Sequence, residues 1–229
     1  MHVAIMMDGN GRWARKRFLK AEAGHRAGAQ ALKKLVPEAA EAGVRYLTVF
    51  AFSTENWSRP ADEVQSLMDL LRGYIQEYID DTEKNDVKMT VIGDVSRLDA
   101  DLRQKIAYLT ELTLDKPGLR LNIAINYGGR DEIVRAVKRI AADAAAGMLD
   151  PADIDERLFA SYLDTAGLPE IDLWIRTGGD VRVSNFLLYQ LAYAEMYFTD
   201  VLWPDFTIKN LNAAIEDFTR RGRRFGGRT

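Results

Sequence analysis

The sequence predicts an α/β fold: a single domain over residues 1–229, with a central, mostly parallel six-stranded sheet surrounded by helices. Three observations carry that reading. Short β-branched or apolar runs alternate with long helical patterns, the rhythm of β-α units. Most of those runs are hydrophobic throughout, as strands covered on both faces are. A chain of 229 residues, 47% of them hydrophobic and 28% charged, can bury one sizeable core but falls short of two.

The first strand is expected at residues 3–7, just before a glycine-rich turn, and a helix at 27–42 leads to a second strand at 46–52. Between residues 62 and 84, Val64, Leu67, Met68, Leu71, Ile75, Tyr78 and Ile79 recur at helical spacing. Their stripe must face something apolar, and core is its plain reading. A strand at 87–92, a helix at 98–114 and a strand at 119–126 come next. The helix expected at 131–146 ends before Gly147, a glycine placed as a C-cap. Strands at 171–176 and near 196–198 and a helix at 211–221 complete the pattern, with no repeat or Pro/Gly-rich linker to mark a boundary.

Composition narrows the function. The 31 Lys+Arg against 34 Asp+Glu give a net charge of -3, which argues against nucleic acid as a partner, so any anion site must be local. Without cysteine there is no disulfide, thiolate nucleophile or Cys-ligated metal, and two histidines make a multi-His metal site implausible. Met1-His2-Val3 is followed at once by Asp8 and Arg12, and no apolar run reaches a membrane span, so a soluble, cytoplasmic protein is expected.

The strongest local signal follows the first strand. Asp8-Gly9-Asn10-Gly11-Arg12-Trp13-Ala14 places a glycine turn with free backbone N–H groups where a phosphate could sit. Gly9, Gly11 and Ala14 formally fit the dinucleotide pattern G-x-G-x-x-G/A. That pattern wants an acidic residue about 20 positions on, at the end of a second strand, and residues 21–26 hold no strand at all. Asp8 and Arg12 flanking the glycines suit Mg²⁺ and diphosphate better; an ordinary tight turn would explain the glycines but not Asp8, Arg12 and Trp13 together. A second loop, Ser53-Thr54-Glu55-Asn56-Trp57-Ser58-Arg59-Pro60, falls at the carboxyl end of a strand, where open α/β sheets bind ligands. A third, from Arg176 through Gly178, Gly179, Asp180, Arg182 and Val183 to Ser184 and Asn185, is rich in oxyanion donors. Glu195 sits in the apolar run 191–198 and needs a cation, either a salt-bridge partner or a metal. His25, between Gly24 and Arg26, could donate to an anion. The arginines at 220, 221, 223, 224 and 228 form a basic end that reads most simply as solvated.

Taken together, Asp8-Gly9-Asn10-Gly11-Arg12-Trp13-Ala14, Gly24-His25, residues 52–60, Asn126-Tyr127-Gly128-Gly129-Arg130, Arg176-Thr177-Gly178-Gly179 and Trp203-Pro204-Asp205-Phe206 resemble the cis-prenyltransferases over nearly the whole chain, most closely the bacterial undecaprenyl diphosphate synthases. The resemblance implies a homodimer with a hydrophobic product tunnel in each subunit. It also implies Mg²⁺-dependent condensation of isopentenyl diphosphate onto farnesyl diphosphate with cis double bonds, giving undecaprenyl diphosphate, the lipid carrier of cell-wall synthesis. It assigns Asp8 to Mg²⁺ and the departing diphosphate, and Glu195 to Mg²⁺. Gly9, Asn10, Gly11, Arg12 and His25 would cradle the allylic diphosphate, while Arg176, Arg182, Val183 and Ser184 would hold isopentenyl diphosphate. Trp13, Ser53, Thr54, Glu55, Trp57 and Arg59 would line the substrate site and its mobile loop. Asn56 takes the proton-accepting position, although a neutral carboxamide is a poor base. The apolar stripe at 64–79 then becomes core plus tunnel wall, and product release implies transient contact with the inner membrane face.

Three departures stand out: Ala21 where the family often has arginine, Asp180 where glutamate is commoner, and a small Ala51 that fits the long-chain members. Arg224-Phe225-Gly226 resembles a C-terminal element that reaches a partner's active site. The rival readings are a short-chain Z-prenyl diphosphate synthase, which would differ in tunnel volume, and a non-catalytic subunit, which Asp8, Arg176, Arg182 and Ser184 argue against.

Overall fold

The computed structural model describes residues 1–221. Its strands are β1 (His2–Met6), β2 (Tyr46–Ser53), β3 (Lys88–Ile92), β4 (Arg120–Tyr127), β5 (Leu173–Arg176) and β6 (Glu195–Phe198). They form one wholly parallel sheet in the order β3-β4-β2-β1-β5-β6. Each lies within two residues of its expected position. β1 stands between β2 and β5, so the chain leaves the centre of the sheet on both sides, and a crevice opens at the carboxyl ends of these strands.

The strands bury both faces, and their period of two sorts side chains between two cores. Val3 and Ile5 of β1 join the larger cluster, while Ala4 and Met6 join a smaller one around Trp174, Tyr127 and Phe186. Among the described residues the helices are α1 (Asn10–Lys16), α2 (Ala21–Glu41), α3 (Ala61–Asp80), α4 (Ala100–Leu112), α5 (Gly129–Ala145), α6 (Glu156–Ser161) and α7 (Ile208–Arg220). Gly147, with φ +71°, closes α5 as its sequence position indicated.

Two differences from expectation have a packing cause. The glycine-rich turn is a single left-handed residue, Gly9 (φ +113°), after which the chain enters α1 directly. Helix α2 starts six residues early because Gly24 is a contact rather than a break: a Cβ there would stand 2.1 Å from the Asn10 carbonyl oxygen. At Gly28 it would stand 2.2 Å from the side-chain Oδ1 of Asn10, so Gly24 lets the backbones of α1 and α2 touch and Gly28 leaves room for the Asn10 carboxamide. Short α6 carried too little periodicity to be read from the sequence. The Arg224-Phe225-Gly226 element and Arg223 and Arg228 lie outside the described residues.

Candidate active site

At the carboxyl end of β1 the backbone of residue 8 is clamped. Its carbonyl accepts from Thr177 Oγ1 (2.7 Å) and from the Trp203 N–H (3.0 Å). A Cβ on Gly9 would press within 2.9 Å of Leu202, so only glycine fits under this clamp. The Asp8 side chain is thereby aimed at two arginines: Oδ2 accepts from Arg176 Nη2 at 2.8 Å, and Oδ1 pairs with Arg12 Nη2 at 3.2 Å. Asp180 approaches the same guanidiniums, 3.3 Å from Arg176 and 3.7 Å from Arg12, and binds Arg182 at 2.7 Å. Three cations thus surround two carboxylates, leaving the cluster one positive charge in excess.

Arg176 is the hub. Its residue is only 3% exposed, and beyond the two carboxylates it donates to Ser184 Oγ (2.6 Å) and to the Arg182 carbonyl. Gly178, with φ +86°, leaves room for the neighbours: a Cβ there would lie 2.7 Å from Arg12 Nη2. Burial alone would raise the Asp8 carboxyl, but the hydrogen bond and charge of Arg176, helped by Arg12, outweigh it and hold the group below the usual carboxylate range. Asp8 is therefore ionised at neutral pH.

The second loop faces this cluster across a cavity of about 530 Å³. Asp8, Asn10, His25, Ser53, Glu55, Asn56, Arg59 and Ser184 lie at its polar end. Leu67, Leu71, Ile75 and Tyr78 from the α3 stripe, with Phe50, Phe52 and Ile123, make its apolar walls. The stripe is thus core and cavity wall at once. Residues 54–58 coil into a 3-10 turn in which Ser53 and Asn56 cap each other, Asn56 Oδ1 accepting the Ser53 N–H at 2.9 Å. The Asn56 carboxamide oxygen is consequently engaged by backbone, and what remains is an NH₂ donor. Trp57 is no stray surface ring: its Nε1 donates to Asn126 Oδ1 (2.7 Å), Phe52 meets it edge-on, and Arg97 stacks over it. Arg59 pairs with Glu63 at 2.8 Å. Burial, with the Arg59 charge beside it, lowers His25 so that it is neutral at pH 7.

Several expected residues fall elsewhere. Trp13 turns to Asp205 (Nε1 to Oδ1, 2.7 Å) and lies under Arg17, away from the cavity. Val183 packs against the smaller core. The two expected magnesium ligands are not brought together within one subunit. Strand register sets Glu195 opposite Leu173, which is opposite Val3, so Glu195 lies five residues below Asp8, roughly 16 Å along the strands. It instead pairs with Arg221 at 3.1 Å, the salt-bridge solution to its apolar setting. Among the described residues no group of three or more metal-ligating side chains converges.

Asn185 has a part the sequence did not reveal. With φ +61°, it gives its carbonyl to the Gly129 N–H (2.7 Å), its Oδ1 to the Arg130 N–H (2.9 Å) and its Nδ2 to Glu55 Oε1 (2.7 Å). It therefore ties Ser184, and through it Arg176, to the 53–59 loop and the start of α5. Its signal was an asparagine, tolerant of the left-handed region, directly after Ser184. Asn185→Asp keeps the acceptor toward Arg130 but sets two carboxylates face to face. Steady-state kinetics is expected to show KM raised about 10-fold or more, with kcat changed less.

Comparison with known proteins fits this geometry. The profile of the putative undecaprenyl diphosphate synthase family matches residues 6–226. The chain belongs to that family. An isoprenyl transferase of Brucella suis is 51% identical over 226 residues, covering 99% of this chain and 89% of its own, and one from Clostridium perfringens is 49% identical over the same span. Among solved structures, lavandulyl diphosphate synthase from Lavandula x intermedia, in complex with dimethylallyl diphosphate, superimposes with a TM-score of 0.95 at 37% identity. A probable undecaprenyl diphosphate synthase from Campylobacter jejuni gives 0.82 at 38%; both comparisons cover 99% of this chain and 98% of the other. The protein is accordingly a prenyl transferase of the cis-prenyltransferase family, and the arginine–carboxylate cluster and the cavity lie in a fold its relatives share.

Proposed function

We propose that this enzyme condenses isopentenyl diphosphate onto farnesyl diphosphate, in successive steps with cis geometry, to make a long-chain polyprenyl diphosphate of the undecaprenyl type. One observation carries the reading: Asp8, the carboxylate held by Arg176 and Arg12, lines the polar end of an otherwise apolar cavity of about 530 Å³. Diphosphates suit the first and a growing hydrocarbon the second. When the allylic C–O bond breaks, the leaving diphosphate takes the electron pair, and Arg12 would stabilise the developing charge. Arg176, Arg182 and Ser184 form the isopentenyl diphosphate subsite, and Gly9, Asn10, Gly11, Arg12 and His25 the allylic one, with Arg59 facing it from the second loop. Asn56, its oxygen engaged, orients substrate through its NH₂, so the proton lost from the isopentenyl unit goes to a diphosphate oxygen.

Magnesium fits the residues present. It binds through one or two carboxylates plus substrate phosphates and keeps several waters, and Asp8 with Asp180 supplies two carboxylates beside the diphosphate subsites. Bound there it would supply charge neutralisation at the leaving group. Glu195 could join only from a second subunit, which agrees with the proposed homodimer. The protein would work in the cytoplasm and meet the membrane at product release; among the described residues no helix is long and apolar enough to cross one.

The test is incorporation of radiolabelled isopentenyl diphosphate with farnesyl diphosphate and Mg²⁺, products resolved by length. A long polyprenyl product upholds the proposal, and no incorporation rejects it. The 0.95 TM-score against the lavender enzyme favours a second reading, a short-chain synthase, which a short product would establish. In the long-chain reading Leu71→Trp, on the cavity wall, is expected to shift products several isoprene units shorter at similar total incorporation; unchanged lengths would remove α3 from the product channel.

A further inference from the structure

We propose that the turn leaving α1, residues 15–20, is a wedge that docks the protein onto a bilayer containing anionic phospholipid. Its tip is Phe18, 99% exposed, followed by Leu19 at 49%. Phe18 also holds φ +57°, in the position after a helix where glycine is at ease and a bulky side chain is not. Neither burial nor backbone conformation accounts for a phenylalanine here, so its ring is free for something outside the chain. The turn is nonetheless fixed: Phe18 N–H bonds the Arg15 carbonyl (3.1 Å) and Leu19 N–H the Ala14 carbonyl (2.9 Å). Arg17 is anchored by stacking 4.1 Å over Trp13 and by Asp205 at 3.3 Å.

The charge around that tip selects the partner. Arg15, Lys16, Arg17 and Lys20 are all exposed, four cations in six residues without an acid, in a chain whose net charge is -3. A notch of about 340 Å³ beside them is lined by Arg12, Arg15 and Lys16, with Gly178, Leu202 and Asp200 completing it. Cations ringing an apolar tip match the boundary between anionic headgroups and acyl chains. A nucleic acid would have no use for Leu19, and two copies of the turn meeting head-on would oppose like charges. The physiological sense rests on the polyprenyl reading: α1 runs from the Asp8 site to the wedge, so docking would hold the diphosphate end near the headgroups that receive the product. The docking itself is measurable without product.

The experiment is co-sedimentation of the full chain with phosphatidylcholine vesicles, with and without phosphatidylglycerol. Wild type is expected to bind only the phosphatidylglycerol vesicles, less so as salt rises. Phe18→Gly should bind about 10-fold more weakly, and the double variant Lys16→Glu with Lys20→Glu at least about 30-fold more weakly. Phe18→Gly relieves the left-handed strain, so its melting temperature should be unchanged or higher, which separates lost docking from lost folding. Equal binding by all three proteins, or equal binding to pure phosphatidylcholine, would overturn the proposal. So would a change of oligomeric state in Phe18→Gly without lipid, or preferential binding of single-stranded RNA over vesicles through Phe18. Incorporation in vesicle-free detergent should match wild type in every variant. Docking without polyprenyl synthesis would refute the proposed function and leave the wedge standing; synthesis without docking would do the reverse.

Discussion

Asp8→Asn is expected to lower kcat about 10³-fold while KM for the proposed substrate, isopentenyl diphosphate, stays level or falls. The substitution keeps the size of the side chain and one hydrogen-bond acceptor but removes its charge. Arg176 and Arg12 then lose a neutralising partner and attract diphosphate at least as well as before. What is lost is the anion in the proposed diphosphate site and, with it, one of the two carboxylates that would hold the proposed magnesium. Stability should change little, because Asp180 still contacts both arginines and Asp8 is partly solvated. Even a loss of 1 kcal/mol would move the melting temperature by only about 2–4 °C. Steady-state kinetics beside a thermal melt checks all three statements, and a parallel rise in KM would assign Asp8 to substrate binding instead.

Arg176 is the position where a conservative exchange should be most damaging. One terminal nitrogen serves Asp8 and Asp180, the other Ser184 and the Arg182 carbonyl, a forked geometry that a lysine ammonium cannot reproduce. Arg176→Lys is expected to lower kcat/KM roughly 10²-fold, and Arg176→Met 10³-fold or more. Because it leaves Asp8 and Asp180 without their most buried partner, Arg176→Met should also be less stable, by up to about 3 kcal/mol, so its kinetics are read below its own melting temperature. It should also move the acid limb. In wild type Asp8 titrates below its ordinary value of about 3.9, so the stability and activity that depend on its ionised form persist above that pH and fade as pH falls through the depressed value. Without Arg176 the main influence opposing burial is gone, and the carboxyl titrates higher than in wild type. The acidic fall of kcat/KM should therefore begin at higher pH in Arg176→Met; an unmoved limb would show that another group controls it.

Which parts of this arrangement the sequence disclosed follows from physical range. Strand positions were legible because parallel strands buried on both faces are largely apolar, as Val3 to Met6 and Ile123 to Ile125 are. The three arginine-bearing loops were legible because each follows such a strand. The early start of α2 was not: the helix was expected only from residue 27, and the closeness of Asn10 to Gly24 and Gly28 is a contact between elements that the local pattern does not carry. Asn185 was hidden for a similar reason, since its three partners come from the 53–59 loop and α5, far away in sequence. Glu195 was legible as a residue needing a cation, but whether that cation was a metal or an arginine depended on strand register.

The pairing of β2 with β4 slips between Phe50 and Phe52, leaving Ala51 without a ladder partner. Strict alternation is broken there, and Phe50, Ala51 and Phe52 all reach the cavity. Residue 51 thus belongs to the chamber without belonging to the sheet's pairing. Enlarging it would narrow the chamber and leave the ladder on either side intact, so under the proposed function a single exchange that folding scarcely registers would retune product length. A scaffold with such a site can diverge in product while conserving its chemistry.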